Sequence, residues 1–130
     1  NPRNRIRHCV LPELNRAYPA AGNAIARTAG LMREDGQWLD DVSRNRYDAL
    51  VCRTVSGLEI DARALLAEPA PIRRRVVRMA LRCAVSTHEY GLDHVEAVMA
   101  VASGETGGID VPGAHVELRR EKLVLLVHST

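Results

Sequence analysis

Phenylalanine is absent from this 130-residue chain, tryptophan occurs once and tyrosine three times. Aliphatic side chains and alanine must therefore fill the core, which at this length is that of one domain. Platforms on which single-stranded bases could stack are correspondingly few. Trp38, Tyr47, Tyr90 and Tyr18 are the whole supply, and each reads as core. Cysteine is sparse and unpaired in pattern: Cys9, Cys52 and Cys83 are far apart, with no C-x-x-C spacing. That excludes a disulfide framework and a cysteine zinc site, and their apolar neighbours suggest buried thiols in a reducing compartment. No apolar run approaches the ~20 residues of a membrane span. The arginine-rich start has no long apolar run behind it, so neither a signal peptide nor a membrane partner is expected, and the location reads as cytoplasmic. The first residue is Asn within a charged helical pattern, which reads as a cut from something longer.

Catalytic sets are also missing. The five histidines, His8, His88, His94, His115 and His128, show no ligand spacing, so no metal site is expected. Ser86, Ser103 and Ser129 lack a nucleophile context. Asp40 and Asp41 are adjacent, so on a helix they point to different sides and make a poor acid/base pair. Residues 104–108, Gly-Glu-Thr-Gly-Gly, follow a helical pattern and no Gly-Lys-Ser/Thr comes after them, so they read as a helix cap and loop, not a phosphate loop.

What the chain does have is arginine. Lys122 is the one lysine among 18 basic residues, and the formal net charge is only +2. Arginine grips phosphate bidentately where lysine acts as a point charge, and any nucleic-acid surface must be a local patch. Two runs qualify: Arg3, Arg5 and Arg7 at the start, and Arg73, Arg74, Arg75, Arg78 and Arg82 further on. In the second, Arg74, Arg78 and Arg82 fall at i, i+4 and i+8 on one helix face, with Arg75 beside them, and no acid lies between them. Two readings stand: a solvated face compensated by Glu34, Asp35, Asp40 or Asp41, or contacts to RNA phosphates.

The periodicity predicts an α+β fold, mainly helical with one long helix, closed by a small antiparallel sheet near the C-terminus. A first short helix should break near Pro12. One long helix should run from residue 20 to about 53, ended by Ser56-Gly57, with apolar positions such as Ile25, Met32, Leu39, Val42 and Leu50 on one side. Leu58-Glu59-Ile60-Asp61 alternates as a strand, and Asp61 can cap a helix over 62–67. Ile72, Val76, Met79, Ala80 and Cys83 mark the buried stripe of a helix over about 70–85. Asp93 with Glu96 resembles a capping box for a helix that stops at Gly104. Ile109-Asp110-Val111, a type II turn at Pro112-Gly113, and strands over 115–119 and 123–127 with a reversal at Arg120-Glu121 complete the chain.

Several of these blocks carry a family likeness. Arg3-Asn4-Arg5-Ile6-Arg7-His8 followed by Leu11-Pro12-Glu13-Leu14 resembles the segment that leaves the catalytic domain of bacterial tRNA(Ile)-lysidine synthetases, with its RN-x-x-R and LP positions. The likeness continues through Ile25-Ala26-Arg27-Thr28-Ala29, Leu31-Met32-Arg33-Glu34-Asp35, Arg73-Arg74-Arg75-Val76-Val77-Arg78, His94-Val95-Glu96-Ala97-Val98 and Ile109-Asp110-Val111-Pro112-Gly113. Arg120-Glu121 stands where that family often has a glycine-containing turn. The resemblance implies a ligase that uses ATP to adenylate C2 of the wobble cytidine of tRNA(Ile), after which lysine displaces AMP. It implies that residues 1–18 end the catalytic domain and its linker, and that residues 19–130 form the tRNA-binding domain. The ATP site, a Ser-Gly-Gly-x-Asp-Ser motif in an N-terminal PP-loop domain, has no counterpart here. This chain alone is therefore expected to bind no cofactor and to be inactive. The implied partners are tRNA(Ile), the PP-loop domain of the same polypeptide and, for the whole enzyme, lysine. Arg3, Asn4 and Arg7 match the family positions and are expected to contact substrate, as are Arg74, Arg75, Arg78 and Arg82 on the stripe. A helical scaffold that forms a homodimer and a stand-alone RNA-binding adaptor are the alternatives.

Overall fold

The computed structural model describes residues 1–129, and the chain divides into two units, Asn1–Trp38 and Leu39–Thr130. In the first unit, Asn1 caps α1 (Pro2–Arg5) by accepting the Arg3 N–H at 3.0 Å. The chain then widens into a π-helical turn, Ile6–Val10, and re-enters α2 (Leu11–Ala17) with Pro12 in its first turn. The expected break at Pro12 is thus a widening. The Leu11 N–H bonds the Ile6 carbonyl, and the proline, which has no N–H to give, sits at a helix start where none is needed. The Asn15 side chain accepts the Gly22 N–H at 2.9 Å and tethers α2 to the start of α3 (Ala21–Leu50).

No residue before Leu39 is buried. The apolar positions read as the inner side of the long helix are open here: Ile25, Leu31 and Met32 are exposed, and Trp38 is 66 % exposed. Tyr18 is exposed as well. The assignment of both aromatics to the core was wrong, because helical spacing marks an apolar face without saying what covers it. The three cysteines are also exposed, not buried.

The second unit begins with the last turns of α3, where Leu39, Val42 and Tyr47 are half-buried and Leu50 is buried. Buried Ser43 returns its hydroxyl to the Leu39 carbonyl at 2.6 Å. The helix ends at Leu50, three residues before the expected point. Val51–Arg53 form β1 and pair antiparallel with β2 (Gly57–Asp61). The Asp61 carboxylate accepts the Ala64 N–H at 3.1 Å and caps α4 (Ala62–Ala67) as its position suggested. Helices α5 (Ala70–Ala84) and α6 (Leu92–Ala102) follow, then β3 (Ile109–Val111), β4 (Ala114–Arg119) and β5 (Lys122–Val127).

The five strands make one antiparallel sheet in the order β1-β2-β5-β4-β3. The fold is therefore α+β, as the pattern predicted, and the strand read at residues 58–61 belongs to the same sheet as the C-terminal ones. Leu58, Ile60, Ala114, Val116, Leu123 and Leu125 face a shared core with Ile72, Val76, Val77, Leu81, Val95 and Val98 of α5 and α6. Each fully buried Val, Leu or Ile there contributes about 1.5–3 kcal/mol, an upper estimate. Among the described residues no helix is long and apolar enough to cross a membrane.

Candidate functional site

Helix α5 starts after Pro69, whose carbonyl accepts the Ile72 and Arg73 N–H groups at 2.9 and 3.0 Å, with Pro71 in the first turn. Its core stripe is Ile72, Val76, Val77, Ala80 and Leu81. Met79 and Cys83, which the sequence reading placed in that stripe, stand off it: Met79 is half-buried and Cys83 exposed. The stripe is rotated because two adjacent pairs, Val76-Val77 and Ala80-Leu81, set its centre. Arg74, Arg78 and Arg82 consequently face solvent, and Arg73 and Arg75 lie half-buried at the edges.

The structure divides the arginines between two places. Arg75, Arg78 and Arg82 line a groove of about 220 Å³ together with Met79 and with Asp40 and Arg44 from α3. Arg74 instead lies with Arg73 in an open pocket of about 280 Å³ lined also by Glu96 of α6 and by Ser103 and Glu105 just after that helix. In the groove, Arg75 Nε donates to Asp40 Oδ1 at 2.9 Å and its Nη1 to the Pro71 carbonyl at 3.3 Å. Arg44 pairs with Asp41 of its own helix. Asp40 and Asp41 thus serve different partners, as adjacent helical positions should. Among the described residues, Arg74, Arg78 and Arg82 have no carboxylate within 4.0 Å. Compensation from α3 therefore reaches Arg75 and leaves the three outward arginines of the stripe unpaired.

Arg78 and Arg82 also line, with Glu89 and Tyr90, a separate pocket of about 130 Å³. Tyr90 is buried. Its hydroxyl donates to the Pro112 carbonyl at 2.6 Å, tying the start of α6 to the β3–β4 turn, and burial pushes its phenol up. Gly113 in that turn has φ of +82°, the left-handed value a type II turn requires. Burial also pushes up the Tyr47 phenol, reinforced by the Cys83 thiol beside it, against the opposing pull of Arg53. Arg53 in turn donates to Cys83 Sγ at 3.3 Å.

Helix α6 does not use the expected Asp93–Glu96 box. The His94 imidazole accepts the Gly91 N–H at 3.2 Å, so the cap lies two residues earlier, at Gly91. At its other end, Gly104 (φ +79°) donates to the Val101 carbonyl and Glu105 to that of Ala100, the paired bonds of a Schellman cap. Residues 104–108 are therefore a helix cap leading to β3, as their sequence suggested.

Arg3 and Asn4 lie on α1 and Arg7 on the π-helical turn, all exposed. Sequence reasoning missed Arg44, which nothing local distinguishes from any other surface arginine. It also missed a contact made by strand pairing, where Asp110 lies opposite His115 and accepts from its Nδ1 at 2.8 Å, with His128 Nε2 3.7 Å from the same carboxylate. Among the described residues no group of three His, Cys, Asp or Glu side chains is placed to hold a metal ion.

Comparison with known proteins supplies the context for this arginine helix. The chain is 31 % identical over 135 residues to the tRNA(Ile)-lysidine synthase of Leifsonia xyli subsp. xyli, covering 98 % of this chain and 39 % of that protein. It is 36 % identical over 134 residues to the tRNA(Ile)-lysidine synthase of Solibacter usitatus, covering 98 % and 30 %. With that of Chromobacterium violaceum it shares 41 % over 75 residues, 58 % of this chain and 16 % of the relative. It therefore spans well under half the length of these relatives. The family described as the TilS substrate binding domain matches residues 60–124, which run from β2 to β5 and contain all of α5. The chain belongs to the TilS substrate binding domain family.

Proposed function

We propose that this chain is the part of a tRNA(Ile)-lysidine synthase that holds the tRNA, in an enzyme that joins lysine to C2 of the wobble cytidine at the expense of ATP. The observation that carries the reading is the outward face of α5: Arg74, Arg78 and Arg82 stand without carboxylate partners on a helix that the family match spans. Arginines with no carboxylate in ion-pair contact are suited to RNA phosphates, which they can grip bidentately. Arg75 joins Arg78 and Arg82 in the groove. In this reading residues 1–18 end a preceding catalytic domain, where Arg3, Asn4 and Arg7 contact substrate. ATP and lysine bind in that PP-loop domain of the longer polypeptide, which works in the cytoplasm. The groove's own contribution is to bind and position RNA, and no proton or group transfer is assigned to this chain.

The test is Arg74→Glu with Arg78→Glu. In the full-length polypeptide, tRNA(Ile) affinity should fall at least about tenfold at moderate salt and the salt dependence should flatten, while ATP binding is unchanged. An unchanged affinity in an electrophoretic shift series refutes the reading. A second reading, a homodimerisation domain, draws on the exposed Ile25, Leu31, Met32 and Trp38 of α3. Sedimentation of the chain as a monomer removes it.

A further inference from the structure

The groove between α3 and α5 contains both halves of an exchange. Among the described residues Asp40 is its one lining carboxylate; of its four guanidinium groups those on Arg78 and Arg82 are unpaired, and the third, on Arg44, is held by Asp41 of its own helix. The fourth, on Arg75, is already held by Asp40 at 2.9 Å. The Asp40 side chain is 58 % exposed and that of Arg75 only 29 %. The arginine is thus anchored, its Nη1 on the Pro71 carbonyl, while the acid reaches in from the solvent side. A carboxylate and a phosphodiester offer a guanidinium the same bidentate acceptor geometry. An exposed pair of this kind is weak in water, so a phosphate that also meets Arg78 and Arg82 can displace the acid.

We infer that Asp40 is an internal stand-in for an RNA phosphate: it holds Arg75 in the free chain and yields it to the tRNA backbone, and Arg44, one turn further along α3 and held by Asp41 in the same way, is a further phosphate contact. This rests on the RNA-binding reading above and adds to it a regulating residue and a new contact residue. Asp40 lowers the affinity of the groove for stray anions and weak RNA contacts, because binding must first break an existing pair. An RNA that supplies several phosphates in register loses least by that exchange.

The experiment titrates a tRNA(Ile) transcript onto the full-length polypeptide at several salt concentrations. Asp40→Asn should tighten binding several-fold while leaving the slope of log K against log salt close to that of the unsubstituted protein, because Arg75 meets a phosphate in both complexes. Asp48→Asn, at an exposed acid on the same helix outside the groove, makes the same change in net charge and should leave the affinity nearly unaltered. Arg75→Ala in the Asp40→Asn background should remove the gain, and Arg44→Ala should weaken binding and flatten the slope. Circular dichroism confirms the fold of each variant. If Asp40→Asn and Asp48→Asn act alike, or if Asp40→Asn changes nothing while Arg74→Glu with Arg78→Glu weakens binding, the exchange is refuted and the RNA face stands. If the double charge reversal also changes nothing, the RNA reading itself falls.

Discussion

Replacing Gly57 by alanine tests the seam that joins the two halves of the sheet. Gly57 has φ of +158° and sits opposite Leu126, where β2 pairs with β5. A Cβ built there lies 1.9 Å from the Leu125 carbonyl oxygen and 3.0 Å from its carbon. The obstacle is backbone in a strand buried between neighbours on both sides, so no side chain can swing away. Two costs add. Holding a side-chain-bearing residue at this φ costs of order 1–3 kcal/mol. Moving β5 to relieve the overlap costs about 1–3 kcal/mol more. The sum, roughly 2–6 kcal/mol, is a large share of the 5–15 kcal/mol that holds a domain together. For a unit of this size each kcal/mol moves the melting point by about 4–8 °C, so Gly57→Ala should lower it by at least ~8 °C. Thermal melts followed by circular dichroism measure this directly, with Gly36→Ala, where a Cβ meets nothing within 4 Å, as the reference. A loss under about 3 °C would show that β2 and β5 do not approach as described.

Asp61→Ala removes the acceptor for the Ala64 N–H and should cost about 1 kcal/mol in a denaturant titration, whereas Asp61→Asn, which can still cap, should cost little. The tyrosines set an alkaline limit. Burial raises the phenols of Tyr47 and Tyr90 above the ordinary value of about 10, so the fold favours their protonated forms. That stability is fully present below pH ~10 and is lost as pH rises beyond it, where the unfolded chain releases protons that the folded one keeps. Ultraviolet absorbance should show these two phenols ionising only above that range, and a midpoint at or below 10 for both contradicts their burial.

Local chemistry was readable from the residues where it was self-contained. Asp61 before an apolar helical run, Pro112-Gly113 between alternating segments and the arginines at i, i+4 and i+8 each imply their own geometry, and each is found. Features that depend on distant residues were not readable. Val51–Arg53 continue the helical pattern of α3 and become a strand only because Ile60, Glu59 and Leu58 lie opposite them. Cys83 lies at a spacing shared by the core and the edge of α5, and the neighbouring pair Ala80-Leu81 decides the rotation. Asp40 and Arg75 are 35 residues apart, and no pattern along the chain links them. The turn at Arg120-Glu121 shows the reverse case. A non-glycine residue, Arg120, takes φ of 58°, the sign a glycine would hold most easily, so the absence of glycine there altered the strain of the turn and left the hairpin in place.

The salt dependence of tRNA(Ile) binding tests the central claim most directly. With Arg74, Arg75, Arg78 and Arg82 each neutralising a phosphate, log K should fall against log salt with a slope of roughly −3 or steeper, and charge reversal at Arg74 and Arg78 should reduce its magnitude by about 2. A slope near zero, or one that the reversal leaves unchanged, would mean that the arginine face of α5 is a solvated surface and that RNA is held elsewhere.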